Sequence, residues 1–402
     1  MSEVVSEVVT ETVPSETGAA SVEPALVENE PGLWGLLAED LRTHDGNLLE
    51  TGFWALAVHR LGERAHEIES PALRRPLSAA AAVLSTASEW AFGIGIHSGV
   101  KMGRRVRLWH HGGIHLSARS IGNDVHLRPN TTCGAPRGAR DEPSDWPTIG
   151  DRADIGAGAC ILGDVRVGAD AFVGANALIT DDVPSHRLAM GVPGRVLPSN
   201  PRAKPNDESA SEHRTVKGAV DQNPTDIGLF ALLAEDLDTH GHHWSAPGFW
   251  AVALHRFGNF RMGIQPKAVR APMTVAYRTG FQLIRWLWGI DLPYDVKLGR
   301  RVRLDHHGSI TIGARSIGND VVIRHSVVTG VLRRGGTDEE KPVIEDRVEL
   351  GPRSCIVGPV TIGHDTLICA NTVVPVNVPP HSTVLGVPGR IVNLERQLAA
   401  AS

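Results

Sequence analysis

The sequence predicts two parallel β-helices built from hexapeptide repeats, each preceded by an α-helical segment and both descended from one tandem duplication. Three observations carry that reading. Apolar residues recur every six positions, at Ile149, Ile155, Ile161, Val167, Val173 and Ile179, and again at Ile344, Leu350, Ile356, Ile362, Ile368 and Val374. Shorter runs precede each series, at Ile121, Leu127 and Cys133 and at Ile317, Ile323 and Thr329. A period of six fits neither a helix nor a flat strand; it fits a triangular coil in which each hexapeptide points one side chain inward, stacked on its equivalents above and below. The chain is also written twice. GLWGLLAEDLRTH (32–44) recurs as GLFALLAEDLDTH (228–240), GRRVRL (103–108) at 299–304 and ARSIGNDV (118–125) at 314–321, all offset by 196. The offset falls to 195 at GVPGR (191–195 and 386–390).

Residues 1–30 carry seven glutamates and no Lys or Arg, and read as a disordered acidic tail. Module one spans 31–196 and module two 227–396. The Pro-, Asn- and Ser-rich stretch 197–226 reads as a linker, and 397–402 as a tail. Within module two, Leu229, Leu232, Leu233 and Leu237, then Phe249, Val252, Ala253 and Phe257, follow helical spacing. Pro266 or Pro272 is placed to open a third helix carrying Tyr277, Phe281, Leu283, Ile284 and Trp288.

Composition excludes several classes. Lys+Arg 40 against Asp+Glu 45 leaves a net charge of −5, so no basic field favours a nucleic-acid backbone. Four cysteines without a C-x-x-C pair suit a reducing cytoplasm better than a disulfide scaffold. Glu89 interrupts one apolar stretch and Arg278 and Arg285 the other, short of the roughly 20 clean residues of a membrane span. No secretory signal opens the chain. The expectation is a soluble cytoplasmic protein.

On GID (289–291), LDHHG (304–308), the six-period coils and GVPGRIV (386–392), module two resembles the serine O-acetyltransferase family of acyl-CoA-dependent transferases, and module one is similar over the same length. The resemblance implies a left-handed β-helix, acetyl-CoA as cosubstrate, no metal, a small-molecule hydroxyl acceptor, and a role in cysteine biosynthesis or a related pathway. It also implies a homotrimer or other trimer-based assembly with CoA in grooves between β-helices. A tandem chain would then stack three copies of module one on three of module two.

The chemistry needs a base to deprotonate an alcohol as it attacks a thioester, and imidazole titrates in the right range. Residue by residue, the resemblance implies His306 as that base and Asp291 as the carboxylate that fixes its tautomer. Asp305 would receive a substrate ammonium, with Asp236 (or Asp238) as a second substrate carboxylate. For CoA it implies Gly330, Pro352 and Ala370 along the pantetheine arm and Arg390 at a phosphate. Pro352 has no N–H to donate. A metal held by His306, His307 and the HGHH run (240–243) is the competing reading of these histidines, but no C-x-x-C supports it.

Module one has Gly95, Trp109 and His110 where module two has Asp291, Asp305 and His306. It keeps a histidine and loses both carboxylates, so a structural or regulatory role is expected. Serine enzymes carry Arg-His before the proline that reopens the coils. Here Glu340 and Lys341 precede Pro342, and Asp145 and Trp146 precede Pro147. Glu340 would repel a substrate carboxylate, and Lys341, Arg333 or Arg334 would have to compensate. The ending ERQLAAAS also lacks the terminal isoleucine of members that dock into the next enzyme of cysteine synthesis. Three readings stay open: a serine O-acetyltransferase, an O-acetyltransferase for a sugar or natural-product alcohol, and a non-enzymatic assembly protein.

Overall fold

A computed structural model describes residues 31–109, 112–136, 142–197, 221–265, 267–305, 308–331 and 337–392. The two tails, most of the linker, Arg333, Arg334, and the histidine pairs His110–His111 and His306–His307 lie outside the described residues.

Each module opens with three helices: α1 (Leu33–Thr43), α2 (Thr51–Glu67) and α3 (Pro71–Phe92) in module one, and α4 (Leu229–Thr239), α5 (Pro247–Phe260) and α6 (Lys267–Trp288) in module two. The third helix begins at Lys267 rather than at Pro272, which sits inside it; Pro76 sits inside α3 in the same way. A proline there forgoes one backbone hydrogen bond. Leu283 points to solvent rather than into the core. No helix among the described residues is long and apolar enough to cross a membrane.

The helices lead into short strands that return to three parallel sheets per module, the faces of a triangular left-handed β-helix. Register explains the six-residue period. Ile317, Ile344 and Ile362 stack on one face, Ile323, Leu350 and Ile368 on the second, and Thr329, Ile356 and Val374 on the third. Every six-period residue of both modules is buried. The stacks form one continuous core per module, sealed by a final antiparallel pair such as Thr383–Leu385 with Arg390–Val392.

A buried ion pair fastens helices to coils in both modules. Arg256 pairs with Asp236 at 3.0 Å and donates to Leu298 O (2.9 Å) and Gly299 O (2.6 Å). Arg60 does the same with Asp40, Met102 O and Gly103 O.

The modules lie side by side with matching coils adjacent, which replaces the expected stack. A Cβ at Gly112 would collide with the Ser309 hydroxyl in the first coils, and Asn176 Nδ2 donates to Arg353 O at 2.8 Å in the late ones.

Candidate active site

The first coil of module two carries both carboxylates singled out from the sequence. Asp291 ends the strand Ile290–Asp291, and Asp305 follows the strand Arg303–Leu304 on another face. His306 lies outside the described residues. Asp291 is mostly shielded and faces Arg285, whose Nε stands 3.5 Å from Oδ2.

Asp305 is buried between two guanidinium groups. Arg303 Nε donates to Oδ1 and Arg324 Nη1 to Oδ2, each at 2.5 Å, and Arg324 also pairs with Glu349 at 2.7 Å. Two cations and two anions leave this cluster neutral. Arg324 reaches Asp305 because the two residues, 19 apart, are separated by one turn of the β-helix.

Module one shows what happens to the cluster without the carboxylate. Arg107 stacks its guanidinium 4.1 Å from the centroid of Trp109, with Arg128 at 5.9 Å on the same ring. The arginines are retained: the Trp109 ring fills the place of the shared carboxylate, while Arg107 pairs with Asp45 at 2.6 Å and Arg128 with Asp154 at 3.1 Å. The Asp291 position changes in concert: Gly95 stands beside Glu89, which occupies the place of Arg285. A Cβ at Gly95 would lie 3.1 Å from Glu89 Oε1, so a second carboxylate would meet a like charge there.

Asp236 does not fit a substrate carboxylate in this structure. It is fully buried and closed on Arg256, so no face of it is open to a ligand. Burial raises its carboxyl above the ordinary value, and Arg256 only partly offsets this. Asp238 is exposed and pairs with His242 at 2.9 Å. Of the HGHH run, His240 is committed to structure. Its Nδ1–H donates to Asp236 O at 2.7 Å and its Nε2 accepts from Leu304 N–H at 3.2 Å, which sets the tautomer one residue before Asp305. Burial holds its pKa below the usual histidine value.

Lys341 is half-buried and pairs with Asp338 (2.7 Å) and Asp295 (3.4 Å). Burial opposes its charge, but these carboxylates more than compensate and raise its pKa. Glu340 ends an exposed turn. In module one the Lys341 place is filled by buried Trp146, edge-on to His97.

The positions implied for CoA spread along the later coils. Gly330 ends the strand Val328–Gly330 with open space where a side chain would be. Pro352 accepts from Asn371 N–H at 2.8 Å, Ala370 is exposed, and Arg390 is exposed on the closing hairpin. Pro352 and Ala370 immediately precede Arg353 and Asn371, which line a groove of about 310 Å³ with Cys160, Leu178 and Val192 of module one. Module one thus walls a groove beside module two's implied cosubstrate positions.

Sequence reading missed Arg285, Arg303 and Arg324. The strict spacing of one β-helical turn was the available signal for Arg324. It also missed His364, Asp365 and His381, a cluster able to hold a metal ion, in which Asp365 is already held by Arg347 at 2.7 Å.

Residues 148–181 and 343–375 match the family model described as hexapeptide repeat of succinyl-transferase. Among curated proteins, the chain is 34% identical over 147 residues to a serine acetyltransferase of Mycobacterium tuberculosis, covering 36% of this chain and 61% of that one. It is 33% identical over 151 residues to one of Helicobacter pylori, covering 37% of this chain and 83% of the relative. Among solved structures, soybean serine acetyltransferase complexed with serine is 28% identical, with a TM-score of 0.37 over 42% of this chain and 70% of that one.

Proposed function

Because the chain belongs to the serine acetyltransferase family, we propose that it transfers an acetyl group from acetyl-CoA to the hydroxyl of serine, with module two as the working half. The observation that carries this reading is the carboxylate pair. Asp291 and Asp305 sit on the first coil of module two, and module one has Gly95 and Trp109 in their places.

In this reading His306 takes the proton of the serine hydroxyl as its oxygen attacks the thioester carbonyl. The tetrahedral intermediate collapses by breaking the carbon–sulfur bond, and the imidazolium returns its proton to the departing thiolate. The products are O-acetylserine and CoA, the former an activated precursor for cysteine synthesis. Asp291 holds the imidazole tautomer and stabilises its charged form. Asp305 receives the serine ammonium, and Lys341, next to Glu340 in the sequence, is the counter-charge that offsets it. Gly330, Pro352, Ala370 and Arg390 flank the cosubstrate.

A second reading, an acceptor without an ammonium group, is favoured by one observation: both Asp305 oxygens already accept from guanidinium groups. Free-thiol release from acetyl-CoA, with L-serine and then with a panel of sugar and natural-product alcohols, separates the two. Serine-dependent release lost in His306→Ala and kept in His110→Ala supports the first reading. Release only with another alcohol moves the protein to the second, and no release with any acceptor overturns both.

A further inference from the structure

Module one touches module two beside the candidate site. The loop between α1 and α2 lies against α6, where Gln282 Nε2 donates to Leu49 O at 2.8 Å and Trp286 Nε1 donates to the same carbonyl at 3.3 Å. Between them Arg285 reaches Glu50 of module one at 3.3 Å on one side and Asp291 at 3.5 Å on the other. All three side chains are largely shielded, at 9%, 21% and 18% exposure for Arg285, Glu50 and Asp291. Burial opposes the charge of Arg285, yet Asp291 and Glu50 together outweigh it and hold its proton more tightly than usual.

The charge count sets the consequence. One guanidinium is shared by two carboxylates, so the triad keeps a net charge of −1. Without Glu50 the same guanidinium would belong to Asp291 alone. A one-to-one pair in a shielded site would neutralise Asp291 and draw it toward α6. The duplication offers the same three positions a second time, and there they read Ala246, Glu89 and Gly95 for Glu50, Arg285 and Asp291. The arrangement is one-directional: module one supplies the anion and module two the arginine and the aspartate.

We propose that Glu50 is a positioning residue for module two's site, drawing Arg285 partly off Asp291 so that Asp291 keeps its orienting role toward His306. Module one, which has lost its own carboxylate pair, thereby completes the site of its neighbour within the same chain. The proposal rests on the acetyl-transfer reading above for its catalytic consequence and on the inter-module contact for its structure.

Steady-state kinetics of the full chain test it with Glu50→Gln, Glu50→Asp, Asp291→Asn and the Glu50→Gln/Asp291→Asn double variant. Glu50→Gln is expected to lower kcat roughly ten- to a hundredfold and to leave KM for acetyl-CoA within about twofold, a loss confined to the chemical step. Glu50→Asp should restore most of it. In the Asp291→Asn background Glu50→Gln should cost nothing further, because its target is gone. Wild-type kcat in Glu50→Gln, or an equal fold-loss in both backgrounds, overturns the proposal. Thermal unfolding of Glu50→Gln, Arg285→Gln and their double variant reads the contact without any activity. Non-additive Tm shifts support the shared guanidinium, and additive shifts overturn it even if the wild-type chain acetylates nothing.

Discussion

Asp236 and Arg256 close on each other at 3.0 Å with neither side chain reaching solvent, and the guanidinium's other donors are spent on Leu298 O and Gly299 O. The arginine thus ties α4 and α5 to the β-helix through the Asp236 carboxylate and two coil carbonyls, with both charged side chains shut off from water. Removing one partner of such a pair strands a buried charge. Arg256→Ala is therefore expected to destabilise the fold by about 3–5 kcal/mol, measured by urea denaturation. Asp236→Asn, which keeps an acceptor oxygen, should cost less. A loss below about 1 kcal/mol for Arg256→Ala would mean that the pair can rearrange into water.

His255 predicts how stability depends on pH. Its Nε2 donates to Val296 O at 2.9 Å, and its buried Nδ1 has no hydrogen-bond partner among the described residues. Burial, helped by the neighbouring Arg256, pushes its pKa from 6.5 down to about 3. The folded state therefore refuses a proton that the unfolded chain accepts below pH 6.5. Stability is intact above that value and falls as the pH drops toward 3. The loss from this group should reach about 2 kcal/mol by pH 5. His255→Gln, which keeps a donor without a titrating group, should flatten the pH 7 to pH 5 decline in Tm. An unchanged slope in that variant would assign the decline to other groups.

The β-helix was legible in the sequence because its rule is local and repeating. Each inward position, Ile344 or Ile362 alike, meets the same environment one turn above and below, so selection for packing writes a period that needs no partner to be seen. Asp291 and Asp305 were legible as a pair through their company with GID and LDHHG. Asp236 was misread because its partner Arg256 lies 20 residues away on another helix, and only helix packing tells a buried ion pair from a substrate ligand. Glu50 and Arg285 lie 235 residues apart in different modules. Nothing in either segment announces the other, and their contact follows only from the side-by-side docking of the β-helices.

Glu89 and Gly95 predict that module one cannot be restored by a single substitution. Gly95→Asp would set a Cβ 3.1 Å from Glu89 Oε1 and a new carboxylate beside it. Like charges at that range in a half-shielded place cost about 1–2 kcal/mol. Gly95→Asp is therefore expected to lower Tm, and adding Glu89→Arg to recreate the Arg285–Asp291 pair should recover most of the loss. The double-variant cycle read by thermal unfolding should show strong coupling. If Glu89→Arg lowers Tm equally with and without Gly95→Asp, the exchange between modules is not a compensated pair.

Asp305 decides between acceptors. Its oxygens accept from Arg303 and Arg324, but an ionised carboxylate has about four lone-pair sites and can still bind an ammonium. If serine is the acceptor, Asp305→Asn removes the charge that holds its ammonium and leaves Arg303 and Arg324 facing a cationic group. The KM for serine should then rise by about tenfold or more, since an ionic hydrogen bond contributes roughly 1.5–3 kcal/mol, while KM for acetyl-CoA changes little. Arg303→Gln, which releases Oδ1 from its guanidinium, should act in the opposite sense and lower the serine KM. For an acceptor without an ammonium, both substitutions should leave its KM within about twofold, because the carboxylate would then serve only to hold the two arginines. Initial rates at varied acceptor and fixed, saturating acetyl-CoA distinguish these outcomes. A serine KM unmoved by Asp305→Asn in an otherwise active chain would remove Asp305 from the acceptor site.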